Sequence, residues 1–410
     1  MDKSIFANKP FLFILFTGFL SVLGIGLIIP VVPFIVQEYV HGESAIAWYV
    51  GLLTALYSFC QFFAAPVLGA LSDKYGRRPI LLFCLLGSAV GYIMFGIGGS
   101  LAILFIGRII DGFTGGDIST AMAYVADVTK PQDRGKYFGV MGAMVGFGFI
   151  LGPSLGGLVS KISLSAPLYL AAGLTLLSMV YGYFILPESL SKEKRAADFS
   201  LHHLNPFTQI QYIFKNDLLK RLMIIGAFYY FTLSSLSAIG SVFLKDTLHW
   251  GAANIGVYFL VLGACDMFNQ GVLSGKLLPK FGVVKLALAG FLIIAVAFLI
   301  NTVLPIFAFA ILAYIYIIIY SIGSGLFEPA FGGLVSGAAN PQEQGRVQGA
   351  SQSIQSITRI LGPIFAAFLY QFNHSLPWVG CILFSLVGGA LLLQNKDTIA
   401  AHVHSLASQE

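Results

Sequence analysis

Charge is what this chain has least of. Only 10% of its 410 residues are Asp, Glu, Lys or Arg, against 57% hydrophobic, whereas a soluble domain carries roughly 25% charged and 45–50% apolar residues. That scarcity excludes a water-soluble fold, because no such fold hides so much apolar surface. A cysteine framework is also missing. Cys60, Cys84, Cys265 and Cys381 fall inside apolar stretches without paired spacing, which argues against a disulfide scaffold and against a zinc site, so no metal is expected. No G-x-x-x-x-G-K-[ST] loop occurs, so ATP is not the expected energy source and no organic cofactor is implied. No nucleophile–base pair or metal cluster stands within an apolar stretch, which argues against an enzyme. The first apolar stretch runs past Pro33 without an Ala-x-Ala cleavage site, so it is expected to remain as a helix rather than leave as a signal peptide.

What is present is apolar length. A helix that crosses a bilayer needs about 20 mainly apolar residues, and twelve such stretches can be counted, the first centred near Gly24 and the last near Leu383. The expected fold class is an all-α membrane protein with twelve transmembrane helices, its first partner the lipid bilayer. A formal net charge of +5 invites a nucleic-acid reading, but the placement of that charge argues otherwise, because Lys and Arg collect on the cytoplasmic side of membrane proteins. Of the 23 Lys and Arg, 19 lie in or beside alternate loops, Lys161 and Lys245 lie in the other set, and Arg108 and Arg359 lie inside helices. This bias predicts a multi-pass protein of the inner membrane with both termini in the cytoplasm and no nucleic-acid partner.

The chain aligns with itself. Gly69-Ala-Leu-Ser-Asp73-Lys-Tyr-Gly76 matches Gly275-Lys-Leu-Leu-Pro-Lys-Phe-Gly282 at an offset of 206. Pro131-Gln-Asp-Arg-Gly-Lys136 matches Pro341-Gln-Glu-Gln-Gly-Arg346 at an offset of 210, which also carries Gly139 to Gly349 and Gly152-Pro153 to Gly362-Pro363. Two six-helix halves related in this way predict a bundle over residues 1–187, a cytoplasmic linker over 188–218, a second bundle over 219–395 and a cytoplasmic tail over 396–410. Parallel halves with a midplane site between them are a geometry of alternating-access transporters; a repeat kept for packing is the plainer alternative.

Several motifs carry a family likeness. They are Gly69-x-Leu71-Ser-Asp73-Lys-x-Gly76-Arg77-Arg78-Pro79, Arg108-x-x-Asp111-Gly112, Tyr124-Val-Ala-Asp127, Gly148-x-x-x-Gly152-Pro153-x-x-Gly156-Gly157 and Leu186-Pro-Glu188-Ser. With these the chain resembles the major facilitator superfamily, specifically its twelve-helix drug:proton antiporters and their tetracycline-resistance-like branch. There are two departures: the family usually has Gln where Asp111 stands, and similar tetracycline exporters carry an acid where this chain has Ser21. The resemblance implies a latch in which Asp73 faces the start of helix eleven near Gly345 and Arg77 pairs with Asp127, beside Gly69, Gly76 and Arg78. Simple positive-inside loop chemistry is the alternative reading of the same basic residues. The glycines at 148, 152, 156 and 157 form a flat strip on one helical face that permits tight packing, as small-xxx-small patterns do in membranes, and Pro153 adds a bend. Any role of that strip in transport direction is implied by the resemblance alone.

Charges inside the membrane carry the functional signal, because an ionised side chain at mid-bilayer costs roughly 2.5–3.5 kcal/mol on insertion scales. Arg108, Asp111, Asp117, Asp266, Glu328 and Arg359 make up this set. Arg108 and Asp111 stand at i,i+3 and can neutralise each other. Subtracting the offset of 210 places Glu328 at position 118, beside Asp117, so the two halves present an acid at nearly the same depth. No histidine falls within an apolar stretch, so Asp117, Glu328 and Asp266 are the candidate proton carriers, each with the alternative of an acid satisfied by a neighbouring Arg or Tyr. Gln348, Gln352, Gln355 and Arg359 share one face of helix eleven, and Asp266, Asn269 and Gln270 repeat the idea in helix eight, with Arg359 the counter-charge for Asp266 or Glu328. The aromatic runs Phe228–Phe231 and Tyr314, Tyr316 and Tyr320 either line a pocket for flat, apolar or cationic molecules or serve packing. The expected function is a proton-coupled exporter of a small amphipathic organic compound, with the proton as coupling ion and a monomer as the working unit. A metabolite or siderophore exporter is the alternative. A transporter-like sensor is a different class, and the short linker and tail leave little room for its signalling domain.

Overall fold

The computed structural model describes residues 9–130, 133–191, 193, 195, 216–338 and 344–396. Most of the expected linker, the Pro341–Glu343 part of the repeat and nearly all of the expected tail lie outside the described residues. Among the described residues all regular structure is helical: α1 (Lys9–Ile28), α2 (Val32–Gln37), α3 (Glu43–Tyr75), α4 (Arg77–Ile97), α5 (Leu101–Thr114), α6 (Asp117–Val128), α7 (Arg134–Val159), α8 (Ala166–Ile185), α9 (Asp217–Leu248), α10 (Ala252–Phe268), α11 (Gly275–Phe281), α12 (Val283–Phe307), α13 (Ala310–Gly337), α14 (Gln344–Tyr370) and α15 (Leu376–Gln394). A π-helical turn over Asn269–Ser274 joins α10 to α11.

Ten stretches of described helix are long and apolar enough to cross a membrane. The other two of the twelve expected spans fall short for visible reasons. Span four is cut at Gly115-Gly116 into α5 of 14 residues and α6 of 12, and at 1.5 Å rise per residue neither piece reaches across about 30 Å of hydrocarbon. Span eleven, α14, keeps its length but carries Ser351, Gln352, Ser353, Gln355, Ser356, Thr358 and Arg359 within its middle turns.

The repeat seen in the sequence reappears in the backbone. Gly76 (φ 109°) and Gly282 (φ 78°) stand at the offset of 206, and each caps the helix that follows it in a conformation that L side chains rarely adopt. At the offset of 210, Ser165 and Ser375 cap α8 and α15 with nearly the same angles, φ −82° and −84°, each followed two residues later by Pro.

The chain forms two compact units. Unit 1 contains α1, α2, α3 from Leu56 onward, α4 to α8 and the first turns of α10 as far as Leu260. Its core gathers Phe11, Ile14, Leu81, Tyr124 and Met141, and α7 lies on α1 so closely that a Cβ added at Gly152 would stand 2.7 Å from the Cα of Gly26. The glycine strip of α7 is thus a helix contact, and Gly26 is its counterpart. Gly157 turns to the other side of α7 and meets Gly256 of α10, 2.9 Å from an added Cβ. Unit 2 contains the start of α3 as far as Ala55, α9 and everything from Val261 onward. Its core is aromatic: Phe327 packs 4.3 Å from Tyr229 and 4.5 Å from Phe291, centroid to centroid.

Candidate transport site: two acidic centres and a loop latch

In unit 1 the polar centre is built around the break in span four. Gly115 and Gly116 interrupt the helix, and the freed Gly115 carbonyl accepts a 2.9 Å hydrogen bond from Gln61 Nε2 of α3, which also donates to the Tyr57 hydroxyl. That repair answers the requirement that backbone polar groups be satisfied at membrane depth. Above the break, Arg108 approaches Asp111 at 3.6 Å, Nη1 to Oδ2, while its guanidinium lies over the rings of Tyr57 (5.5 Å) and Phe95 (5.1 Å). The expected i,i+3 pairing is therefore present, as a loose ion pair rather than a hydrogen bond. Asp111 is pressed against α4 at Gly91, where a Cβ would stand 2.8 Å from Asp111 Cβ. Below the break, Asp117 opens α6, beside Ser21 of α1. Asp111 and Asp117 line one largely enclosed cavity together with Ser21, Tyr57, Ser88 and Tyr92. The acids in this cavity come from span four, and Ser21 comes from α1.

In unit 2 the centre lies at the π-helical turn. Glu328 of α13 accepts hydrogen bonds from Tyr229 Oη of α9 at 3.0 Å and from Gln270 Nε2 at 3.1 Å. Ser324 donates to Asp266 Oδ1 at 2.9 Å, and Asn269 Nδ2 donates to Ser321 Oγ at 3.0 Å. The turn holds both Asn269 and Gln270, and its approach to α13 is tight, since a Cβ on Gly325 would stand 2.6 Å from Asn269 Cβ. Single π turns recur at functional sites, because the extra residue re-aims side chains that a regular helix would place elsewhere. Arg359 acts electrostatically on Glu328, but no ion pair within 4 Å joins them among the described residues. Gln352 is exposed and Gln355 half-buried on the same helix; the side chain of Gln348 lies outside the described residues.

The loop motif is assembled within unit 1. Arg77 donates from Nε to Asp127 Oδ2 at 3.0 Å, reaches Asp73 Oδ1 at 2.6 Å and donates from Nη1 to Ser72 Oγ at 2.6 Å. The expected Arg77–Asp127 pair is present, and Asp73 is engaged by the same guanidinium; the side-chain surroundings of Gly345 lie outside the described residues. Glu188, quoted in the sequence only for its likeness to the family, accepts from the backbone N–H of Arg77 at 2.8 Å and of Arg78 at 3.3 Å. It thus caps α4 with a carboxylate at the positive end of the helix. A Cβ at Gly76 would drive into that carboxylate, 2.8 Å from its Cδ. Among the described residues, no atom lies within 4 Å of a Cβ added at Gly69.

Several of these contacts have no signal in the sequence: Tyr229 on Glu328, Ser21 beside Asp117, and Gln61 on the broken strand of backbone. A further cluster in unit 2 joins the ends of three helices. His374 meets Glu43 at 3.2 Å, and Asp246 is held by Lys245 at 3.1 Å and Tyr370 at 2.9 Å.

Comparison with known proteins agrees with this architecture. The family model described as Major Facilitator Superfamily matches residues 14–363. The class C tetracycline resistance protein of Escherichia coli is 35% identical over 389 residues, which is 94% of this chain and 95% of that protein. Multidrug resistance protein 2 of Bacillus subtilis (strain 168) is 29% identical across 97% of this chain and 98% of its own length. Among solved structures, a bacterial homolog of the human lysosomal transporter Spinster superposes with a TM-score of 0.78 at 16% identity, covering 96% of this chain and 99% of that one. The chain belongs to the Major Facilitator Superfamily, on the branch of the tetracycline resistance proteins, and is a multi-pass membrane transporter rather than an enzyme.

Proposed function

We propose that this transporter is a proton-coupled exporter of small amphipathic organic compounds, drugs among them, in the inner membrane with both termini in the cytoplasm. The observation that carries the reading is the setting of Glu328. It is held by a phenol and a carboxamide, neutral groups that can each donate or accept a hydrogen bond. Such an acid can gain or lose a proton without stranding a buried counter-charge. Asp111, by contrast, is tied to Arg108, and protonating it would leave a cation short of its partner. Glu328 is accordingly the proton carrier, Asp266 its neighbour through Ser324, and the solute path runs past the exposed Gln352. The names of the relatives, tetracycline and multidrug resistance proteins, support a drug-sized organic solute. Alternating access would move the two repeat-related halves, and the Arg77–Asp127 latch would stabilise one of the end states.

The test is accumulation in everted membrane vesicles, with tetracyclines, fluoroquinolones and lipophilic cations offered in turn. Accumulation of at least one compound, collapsing when a protonophore removes the gradient, is the expected result. Solute binding with no response to the gradient for any compound would overturn proton coupling and move the reading to a metabolite exporter or a uniporter.

A further inference from the structure

We propose that unit 1 binds one sodium ion between Asp111 and Asp117, at the break in span four, in a site separate from the Tyr229–Glu328 centre. The cavity those acids line has a volume of about 10 Å³, room for one small occupant. Its polar side chains are all oxygen-bearing: two carboxylates from Asp111 and Asp117, and hydroxyls from Ser21, Ser88, Tyr57, Tyr92 and Thr175. Hard cations take such ligands.

The site is incomplete as protein alone. Asp111 is 2% exposed and Ser21 is 7% exposed; Ser88 stands beside Asp111 and Ser21 beside Asp117, yet among the described residues neither carboxylate oxygen of Asp111 receives a well-formed hydrogen bond. Polar groups buried in this way cost free energy unless something answers them, and a charged one costs most. Arg108 does not answer Asp111 fully, since it stands 3.6 Å away with its guanidinium held over two rings.

Formal charge decides the valence. Two carboxylates and one guanidinium leave a single negative charge, which one monovalent cation cancels. A divalent ion would overshoot, and magnesium keeps several waters for which the cavity has no room. A water molecule would leave the charge unbalanced. The backbone is interrupted at the same place: α5 ends and α6 begins at the break, so opposite dipole ends meet there, and interrupted helices are where membrane transporters hold ions. Within unit 1 the arrangement needs neither the exported compound nor proton movement at Glu328, so its failure and the failure of the exporter reading are separately visible.

Binding of radioactive sodium to the purified full-length protein, at alkaline pH in a choline background, tests it without any transport. Saturable binding of about one ion per chain is expected, displaced by unlabelled sodium and only weakly by potassium. Asp111→Asn and Asp117→Asn should each weaken it by about 10-fold or more, and Ser21→Ala by a smaller factor. Sodium should also raise the melting temperature of the wild-type protein, which reports the site even where a carboxamide variant folds poorly. No saturable binding and no thermal shift in the wild type would overturn the proposal. So would binding that survives all three substitutions, or the release of a proton from this pair on alkalinisation with no effect of sodium.

Discussion

At the scale of the residue, the argument rests on what each buried charge touches. Glu328 takes one hydrogen bond from Tyr229 and one from Gln270, and bonds of this kind to a charged group contribute about 1.5–3 kcal/mol. Tyr229→Phe removes one of them while leaving the ring packed against Phe327, so the protein should fold normally and lose about tenfold in proton-driven transport rate. Vesicle transport beside a melting curve checks this, and an unchanged rate would remove Tyr229 from the mechanism. Arg77 is the second case. Its fork serves Asp73, Asp127 and Ser72 together, a geometry that the point charge of Lys cannot copy. Arg77→Lys should therefore recover only part of the transport that Arg77→Ala abolishes. Full recovery by Lys would reduce the latch to positive-inside charge.

At the scale of the element, glycines say which helix faces must touch. In α7, Gly152 has no room for a Cβ, whereas no atom of the described residues lies within 4 Å of one added at Gly142. Gly152→Ala should destabilise the protein by about 1–3 kcal/mol, as overpacking does, and Gly142→Ala should leave the melting temperature unchanged; equal effects would show that the strip is not a packing face. The glycine strip was legible in the sequence because its spacing repeats with the helix, and so were the capping glycines at 76 and 282, because the repeat aligned them. The break at Gly115-Gly116 was not. A pair of glycines in an apolar run reads equally as close packing, and what makes this one a break is Gln61, which arrives from another helix to hold the freed carbonyl. The π turn at Asn269–Ser274 was hidden for a related reason: one extra residue per turn leaves composition unchanged and shows only in where Asn269 and Gln270 point. The candidate acids were visible because charge is rare in this chain. Their partners were not, since the meeting of Tyr229 with Glu328, or of Ser21 with Asp117, depends on the rotation of separate helices about their axes.

At the scale of the whole molecule, the two halves share a repeat but have diverged in where they are irregular. Unit 1 breaks span four next to Asp117, and unit 2 deforms span eight next to Asp266 and Gln270. Each irregular segment lies where acids gather, in keeping with the rule that non-helical backbone is kept inside a membrane only where it is buried or lines a cavity. The orientation of the chain is open to direct measurement, because Cys60, Cys84 and Cys381 are buried and Cys265 is half-buried, so background labelling by a membrane-impermeant thiol reagent should be low. Lys161→Cys should react from outside intact cells and Lys130→Cys only after lysis. The reverse pattern would contradict cytoplasmic termini.

The central claim is that Glu328 carries the coupling proton, and proteoliposomes test it most directly. Glu328→Gln keeps the shape and both neutral partners but cannot release a proton. The account predicts that this variant still exchanges solute for solute across the membrane when no gradient is applied, while losing both uphill accumulation driven by a proton gradient and substrate-induced proton movement. Uphill, proton-driven accumulation that persists in Glu328→Gln would contradict it.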